Sequence, residues 1–205
     1  LGERAACRQN TKEEILMKKL VALILTLAMM LCVGTAFATE AEPEQTGAIE
    51  INWADLEEQG AETIAQGDFV TFDEIAVKMW MPNALAAVEL TDDDKAQGYI
   101  GYYQPEDGSA AIAVMYVDAD GMTLDEYKEK LTEAAATEME DVVINGMEAV
   151  SYVLEESDTA CVSFVTEAGY IFEVSGSPKS DENFAALLSM VMASIQAEYF
   201  SANNL

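Results

Sequence analysis

From about residue 47 onward the apolar positions switch between a period near 3.6 and a period of two. Trp53, Leu56, Gly60 and Ile64 recur at helical spacing and predict a helix over residues 52–66, with Gly60 weakening its middle. Residues 68–72 and 75–81 alternate like strands joined at Asp73-Glu74, the second stopped by Pro82. Residues 83–96 predict no more than a short helical turn. Residues 99–104 and 110–117 form a second hairpin across Pro105-Glu106-Asp107-Gly108. In its second strand Ile112, Val114 and Tyr116 lie on one face, with Ala111, Ala113, Met115 and Val117 on the other. A strand apolar on both sides needs a cover on each face of its sheet.

The covers are legible. Thr123-Leu124-Asp125-Glu126 is a capping box, in which hydroxyl and carboxylate satisfy the free amides at a helix start. The helix is expected to run to about Thr137, with Leu124, Tyr127, Leu131, Ala134 and Ala135 on one face. A last helix over residues 181–198 repeats Phe184, Leu187, Leu188, Val191, Met192 and Ile195 at three- and four-residue spacing. Between the two lie four expected strands, 142–144, 149–154, 160–166 and 170–175. Their turns are Asn145-Gly146, Glu156-Ser157-Asp158 and Ala168-Gly169, with Asn-Gly the strongest hairpin signal. The order predicts an α+β fold: a mostly antiparallel sheet with helices on both faces.

One apolar stretch lies outside this scheme. Met17-Lys18-Lys19 precedes an apolar run over residues 20–33, which ends at Ala36-Phe37-Ala38, the small-x-small pattern of a signal-peptidase site. The run is shorter than the roughly 20 residues of a bilayer span, so a cleaved export signal is expected over 17–38 rather than an anchor. Leu31 before Cys32 is too large for a lipid-modification signal. Residues 1–16 fit no targeting logic and are read as a mis-called start ahead of Met17. Residues 39–46, polar and acidic with Pro43, are expected to be a disordered linker. One domain is then expected over 47–200, followed by a tail over 201–205. The expected location is outside the cytoplasm, secreted or at the cell envelope.

Composition narrows the chemistry. The whole chain carries 38 acids against 10 basic residues. Beyond residue 38 remain 35 acids and five lysines, Lys78, Lys95, Lys128, Lys130 and Lys179, a net charge of −30 with no arginine or histidine. Without a basic patch, phosphate neutralisation is unavailable and no nucleic-acid partner is expected. Anionic membranes are repelled for the same reason, leaving the export segment as the only membrane contact. The absence of histidine excludes Ser-His-Asp and Cys-His nucleophiles and His-ligated zinc. Cys161 alone survives processing, cannot form an internal disulfide, and is expected as a small core residue.

Phe72-Asp73-Glu74-Ile75-Ala76-Val77 leading into Trp80-Met81-Pro82 forms a hairpin that ends in an aromatic–proline step. With Ile144-Asn145-Gly146-Met147-Glu148-Ala149, Gly169-Tyr170-Ile171-Phe172-Glu173-Val174 and the closing helix through Ser194-Ile195, it resembles the PsbP-like superfamily over most of residues 68–196. The resemblance implies a PsbP-like α/β/α sandwich in a small secreted bacterial protein, acting as a non-enzymatic accessory or binding module. It carries over no catalytic residue. The extreme acidity and the missing arginines depart from the pattern.

Three candidate chemistries remain. Asp118-Ala119-Asp120-Gly121 resembles part of a calcium loop, but aligning Gly121 with the loop glycine puts Tyr116 and Tyr127 where acidic ligands are required. Asp92-Asp93-Asp94 and Glu138-Met139-Glu140-Asp141 are acidic loops able to hold a hard cation weakly. Asp118, Asp120, Asp92, Asp93 and Asp94 are therefore the candidate calcium ligands, and no other cofactor is expected. A carboxylate-pair hydrolase would need two acids facing across a cleft. The leading expectation is a non-catalytic binding module that contacts a protein or small-molecule partner, with calcium-dependent binding and hydrolysis as alternatives.

Overall fold

A computed structural model describes residues 48–58, 66–73, 75–166 and 169–197. The expected export segment, linker and tail lie outside the described residues, as do residues 59–65 of the first expected helix. The elements are β1 (Ile49–Ile51), α1 (Trp53–Glu58), β2 (Gly67–Phe72), β3 (Val77–Pro82), β4 (Ala86–Ala87), α2 (Asp92–Ala96), β5 (Tyr99–Gln104) and β6 (Ala111–Asp118). They continue with α3 (Leu124–Glu133), β7 (Thr137–Ile144), β8 (Met147–Leu154), β9 (Thr159–Val165), β10 (Tyr170–Ser177), α4 (Glu182–Ala193) and β11 (Gln196–Ala197). Among the described residues, no helix is long and apolar enough to cross a membrane.

Eight strands make one sheet in the order β1-β7-β8-β9-β10-β6-β5-β4, and three make a second, β11-β3-β2. The pairing is antiparallel except between β1 and β7. The α+β architecture expected from the sequence is therefore present, with part of one layer supplied by the small sheet.

The cross-strand register sorts side chains onto two faces. Val150, Ser163, Glu173 and Met115 lie opposite one another across β8, β9, β10 and β6, and so share a face. Leu131 of α3 packs on that face in a buried cluster with Val150, Tyr152 and Cys161. The opposite face carries Val162, Val174 and Val114, at most 1% exposed. Here α4 docks: a Cβ added to Gly176 would meet Leu188 Cδ1 at 2.6 Å, so only glycine lets the helix approach this closely. The small sheet packs on the same face, where Phe72 lies against Gly101. Each such large apolar side chain removed from water contributes roughly 1.5–3 kcal/mol.

Several boundaries differ from expectation for identifiable reasons. The helix after Thr123 stops at Glu133 because the chain closes it with a Schellman arrangement. Ala136 N–H donates to Leu131 O, Ala135 N–H donates to Thr132 O, and Ala135 takes φ 60°. No glycine marks this stop, and β7 begins at Thr137, earlier than expected. The last helix ends at Ala193, where the Ser194 hydroxyl donates to Val191 O and accepts the Trp80 N–H, both at 2.7 Å. That bond turns the chain into β11, which pairs with β3. The two-residue β4 and three-residue β1 are too short to show a period.

Candidate protein-docking face

The face that holds α3 is covered unevenly. Over β8 and β9, Val150, Tyr152, Cys161 and Ser163 are buried beneath or beside α3. Farther along, Ala111, Ala113, Met115 and Val117 on β6 are only half-buried, while Ile112 and Val114 on the reverse of the same strand are fully buried. The half-covered surface continues through Tyr99 and Tyr102 of β5, which lie opposite Met115 and Ala113. It reaches the sheet edge at Ala86 and Ala87, both exposed, and Val88, 37% exposed, whose N–H donates to Tyr102 O.

This half of the sheet carries no charge. The stretches 79–88, 96–105 and 108–117 contain no Asp, Glu, Lys or Arg, in a chain with 38 acids. They contain β4, β5 and all of β6 before Asp118. Acids stand at both ends of the patch. Glu106 and Asp107 occupy the β5–β6 turn, where Asp107 Oδ1 accepts from Ser109 N and Oγ. At the other end Gly98 O accepts the Tyr116 N–H, which seats the end of α2 beside the end of β6. Asp92, Asp93 and Asp94 therefore lie at the same end as Asp118 and Asp120. An uncharged centre with tyrosine and methionine, bounded by charge, has the anatomy of a protein interface.

The acids expected as calcium ligands have definite positions in this rim. Asp92, Asp93 and Asp94 form the first turn of α2 under a capping box. Asp94 Oδ2 accepts from Thr91 N at 2.9 Å and from Thr91 Oγ at 2.6 Å, and these bonds hold its carboxyl below the usual range. Asp118 Oδ1 accepts the Asp120 N–H at 2.8 Å, closing a strand-to-helix turn in which Asp120 and Gly121 have φ of 51° and 75°. Among the described residues no group of three or more His, Cys, Asp or Glu side chains is placed to hold a metal ion.

One carboxylate points from the covered face, and the protein absorbs it. Glu173 Oε2 accepts from Tyr152 Oη at 2.5 Å, Ser163 Oγ at 3.1 Å and Tyr127 Oη at 3.2 Å. Three hydroxyls thus converge on one carboxylate oxygen. Burial, then the Glu173 charge, raises the pKa of both tyrosines above the ordinary phenol range. The Cys161 thiol is buried and unbridged, and burial followed by the same carboxylate pushes it up to about 12. A thiol so protonated is a core side chain, as expected from its strand. Asp125 and Asp141 also come together, but around a cation: both lie 2.8 Å from Lys128 Nζ. Neither arrangement is two free carboxylates facing across a cleft.

The sequence reading named the rim acids and missed the patch they surround. The signal available was the three charge-free decapeptides.

No known protein family and no curated protein sequence matches this chain. Its fold is similar to that of a cyanobacterial PsbP, CyanoP from Synechocystis sp. PCC 6803, which matches with a TM-score of 0.46 and 12% identity over 65% of this chain and 94% of that one. It is also similar to the Ran-binding protein Mog1p of Saccharomyces cerevisiae, with a TM-score of 0.36 and 14% identity over 65% of this chain and 96% of that one. At such scores neither likeness carries an argument about ligand or partner.

Proposed function

We propose that this chain is an exported, non-catalytic binding module that docks a protein partner through the uncharged face of β4, β5 and β6. The observation that supports it is the half-covered surface of Val88, Tyr102, Ala113 and Met115, free of charge between acidic ends. Surface apolar groups left in this state gain by association, roughly 25 cal/mol for each Å² removed from water. The acidic rim selects a partner whose own apolar patch is flanked by lysine or arginine, and it repels acidic proteins. The export segment, residues 17–38, supports a working place outside the cytoplasm.

Photocrosslinking tests the reading. A benzoylphenylalanine placed at Tyr102 in the producing cell should trap one discrete protein, and the same group at the exposed Glu156 should not. Met115→Glu should abolish the adduct. Neutralising Asp92, Asp93 and Asp94 to Asn should weaken it and reduce its sensitivity to salt. Equal crosslinking from both positions, or an adduct indifferent to Met115→Glu, rejects the proposal.

A further inference from the structure

The outer face of the small sheet carries a separate feature. Trp53 of α1 stacks on Trp80 of β3 at 6.1 Å and meets Phe69 of β2 edge-on at 6.0 Å. Trp53 and Phe69, with Lys78, Asn145 and Gln196, line an open depression of about 410 Å³, within the size range of small-ligand sites. Trp53 and Trp80 are buried, whereas Phe69 is 38% exposed. The Asn145 amide has no proton left to donate to a ligand. Its Oδ1 accepts the Trp53 N–H, and its Nδ2 donates to Ala193 O and Ile195 O. It forms a rigid wall.

The charged group in the lining is Lys78. Its Nζ lies 5.2 Å from the Phe69 ring centroid. Lys128, Lys130 and Lys179 are each held by acids. Among the described residues Lys78, like Lys95 of α2, forms no salt bridge, in a chain of net charge −28. An ammonium without a carboxylate partner among the described residues, beside an aromatic-walled depression, complements a single negative charge on an apolar body. A polyanion gains one contact there and meets the repulsion of the whole chain. A cation meets Lys78 already seated on the exposed ring.

We infer that this depression binds a small monocarboxylate with an aromatic or branched apolar body, the carboxylate on Lys78 Nζ and the body against Phe69 and Trp53. The site is distinct from the docking face and does not depend on it.

Trp53 and Trp80 are the only two tryptophans of the chain, so intrinsic emission reports directly on the site. Titration with 3-phenylpropionate should change that emission saturably. The uncharged 3-phenylpropionamide and the cationic 3-phenylpropylamine should bind at least about tenfold more weakly, a factor worth about 1.4 kcal/mol. Lys78→Gln should remove the preference for the acid while leaving the melting temperature unchanged, and Phe69→Ala should weaken acid and amide alike. No emission change with 3-phenylpropionate up to about 10 mM overturns the inference. So does equal binding of acid and amide, or an acid preference that survives Lys78→Gln. A phenylalanine-terminated tripeptide binding more tightly than 3-phenylpropionate would reassign the site to a peptide C-terminus and overturn the small-acid assignment.

Discussion

Asn145 accepts the Trp53 backbone N–H at 2.7 Å across 92 residues of chain. The same side chain donates to Ala193 O at 2.9 Å and to Ile195 O at 2.7 Å, and its own N–H donates to Ile51 O. One turn residue thus ties β1, the start of α1 and the end of α4 to the β7–β8 hairpin. Its φ of 49° is left-handed, which asparagine adopts at less cost than alanine.

Replacing Asn145 separates these two roles. Asn145→Gly keeps the turn and loses the three side-chain bonds, at a cost of about 3 kcal/mol. Asn145→Ala loses the bonds and strains the turn, costing about 1 kcal/mol more. Denaturant unfolding measures both, and tryptophan emission should shift red in each as Trp53 loosens.

Glu173 should be worth more as a carboxylate than as an amide. Glu173→Gln leaves a weaker acceptor facing the three hydroxyls and should destabilise by about 2 kcal/mol. Combined with Tyr152→Phe in a double-mutant cycle, the coupling should be on the order of 1–2 kcal/mol. Additive single and double variants would remove the network from the stability argument.

Stability should fall on the alkaline side. In the unfolded chain Cys161 loses its proton near its ordinary value of about 9, whereas in the folded chain it keeps it to about 12. Between those values the folded state binds more protons, so stability is fully present below the lower one. It declines by roughly 1.4 kcal/mol per pH unit as pH rises between them. Tyr127 and Tyr152, also raised, add a decline of the same sign from the ordinary phenol range upward. Cys161→Ala should flatten the slope measured by urea midpoints between about pH 8 and about pH 11.

Ala135 closes α3 in a conformation suited to glycine. It is exposed, with φ 60°. Ala135→Gly should raise stability by about 1 kcal/mol, read as a higher melting temperature. A lower melting temperature would show that the stop is held by something other than the Schellman bonds.

The legible parts of the fold share one property: their signal is local. Thr123 and Glu126 sit three residues apart and cap α3 as a pair, as expected. Asn145-Gly146 forms the expected tight hairpin between β7 and β8. The missed parts depend on distant partners. Residues 137–141 read as helix end and loop because their strand character comes from pairing with β8. The end of α4 depends on Ser194 finding the Trp80 N–H 114 residues away. Among site residues, Asp92, Asp93, Asp94, Asp118 and Asp120 are conspicuous because charge is visible in a sequence. The surface they flank is defined by missing charge and incomplete cover.

The sequence by itself determined the alternation of periods, hence the α+β class, the capping box, the Asn-Gly turn and the core position of Cys161. It also determined a strongly acidic composition that contains no histidine. Only the tertiary structure decided that α3 covers one half of its face and leaves the other half open. It also decided that Lys78, Phe69 and Trp53, from three separate elements, meet Asn145 of the β7–β8 turn around one depression. Local periodicity states which side chains turn inward, but which neighbour receives them depends on strand order and register. Those are fixed by contacts among residues far apart in the chain.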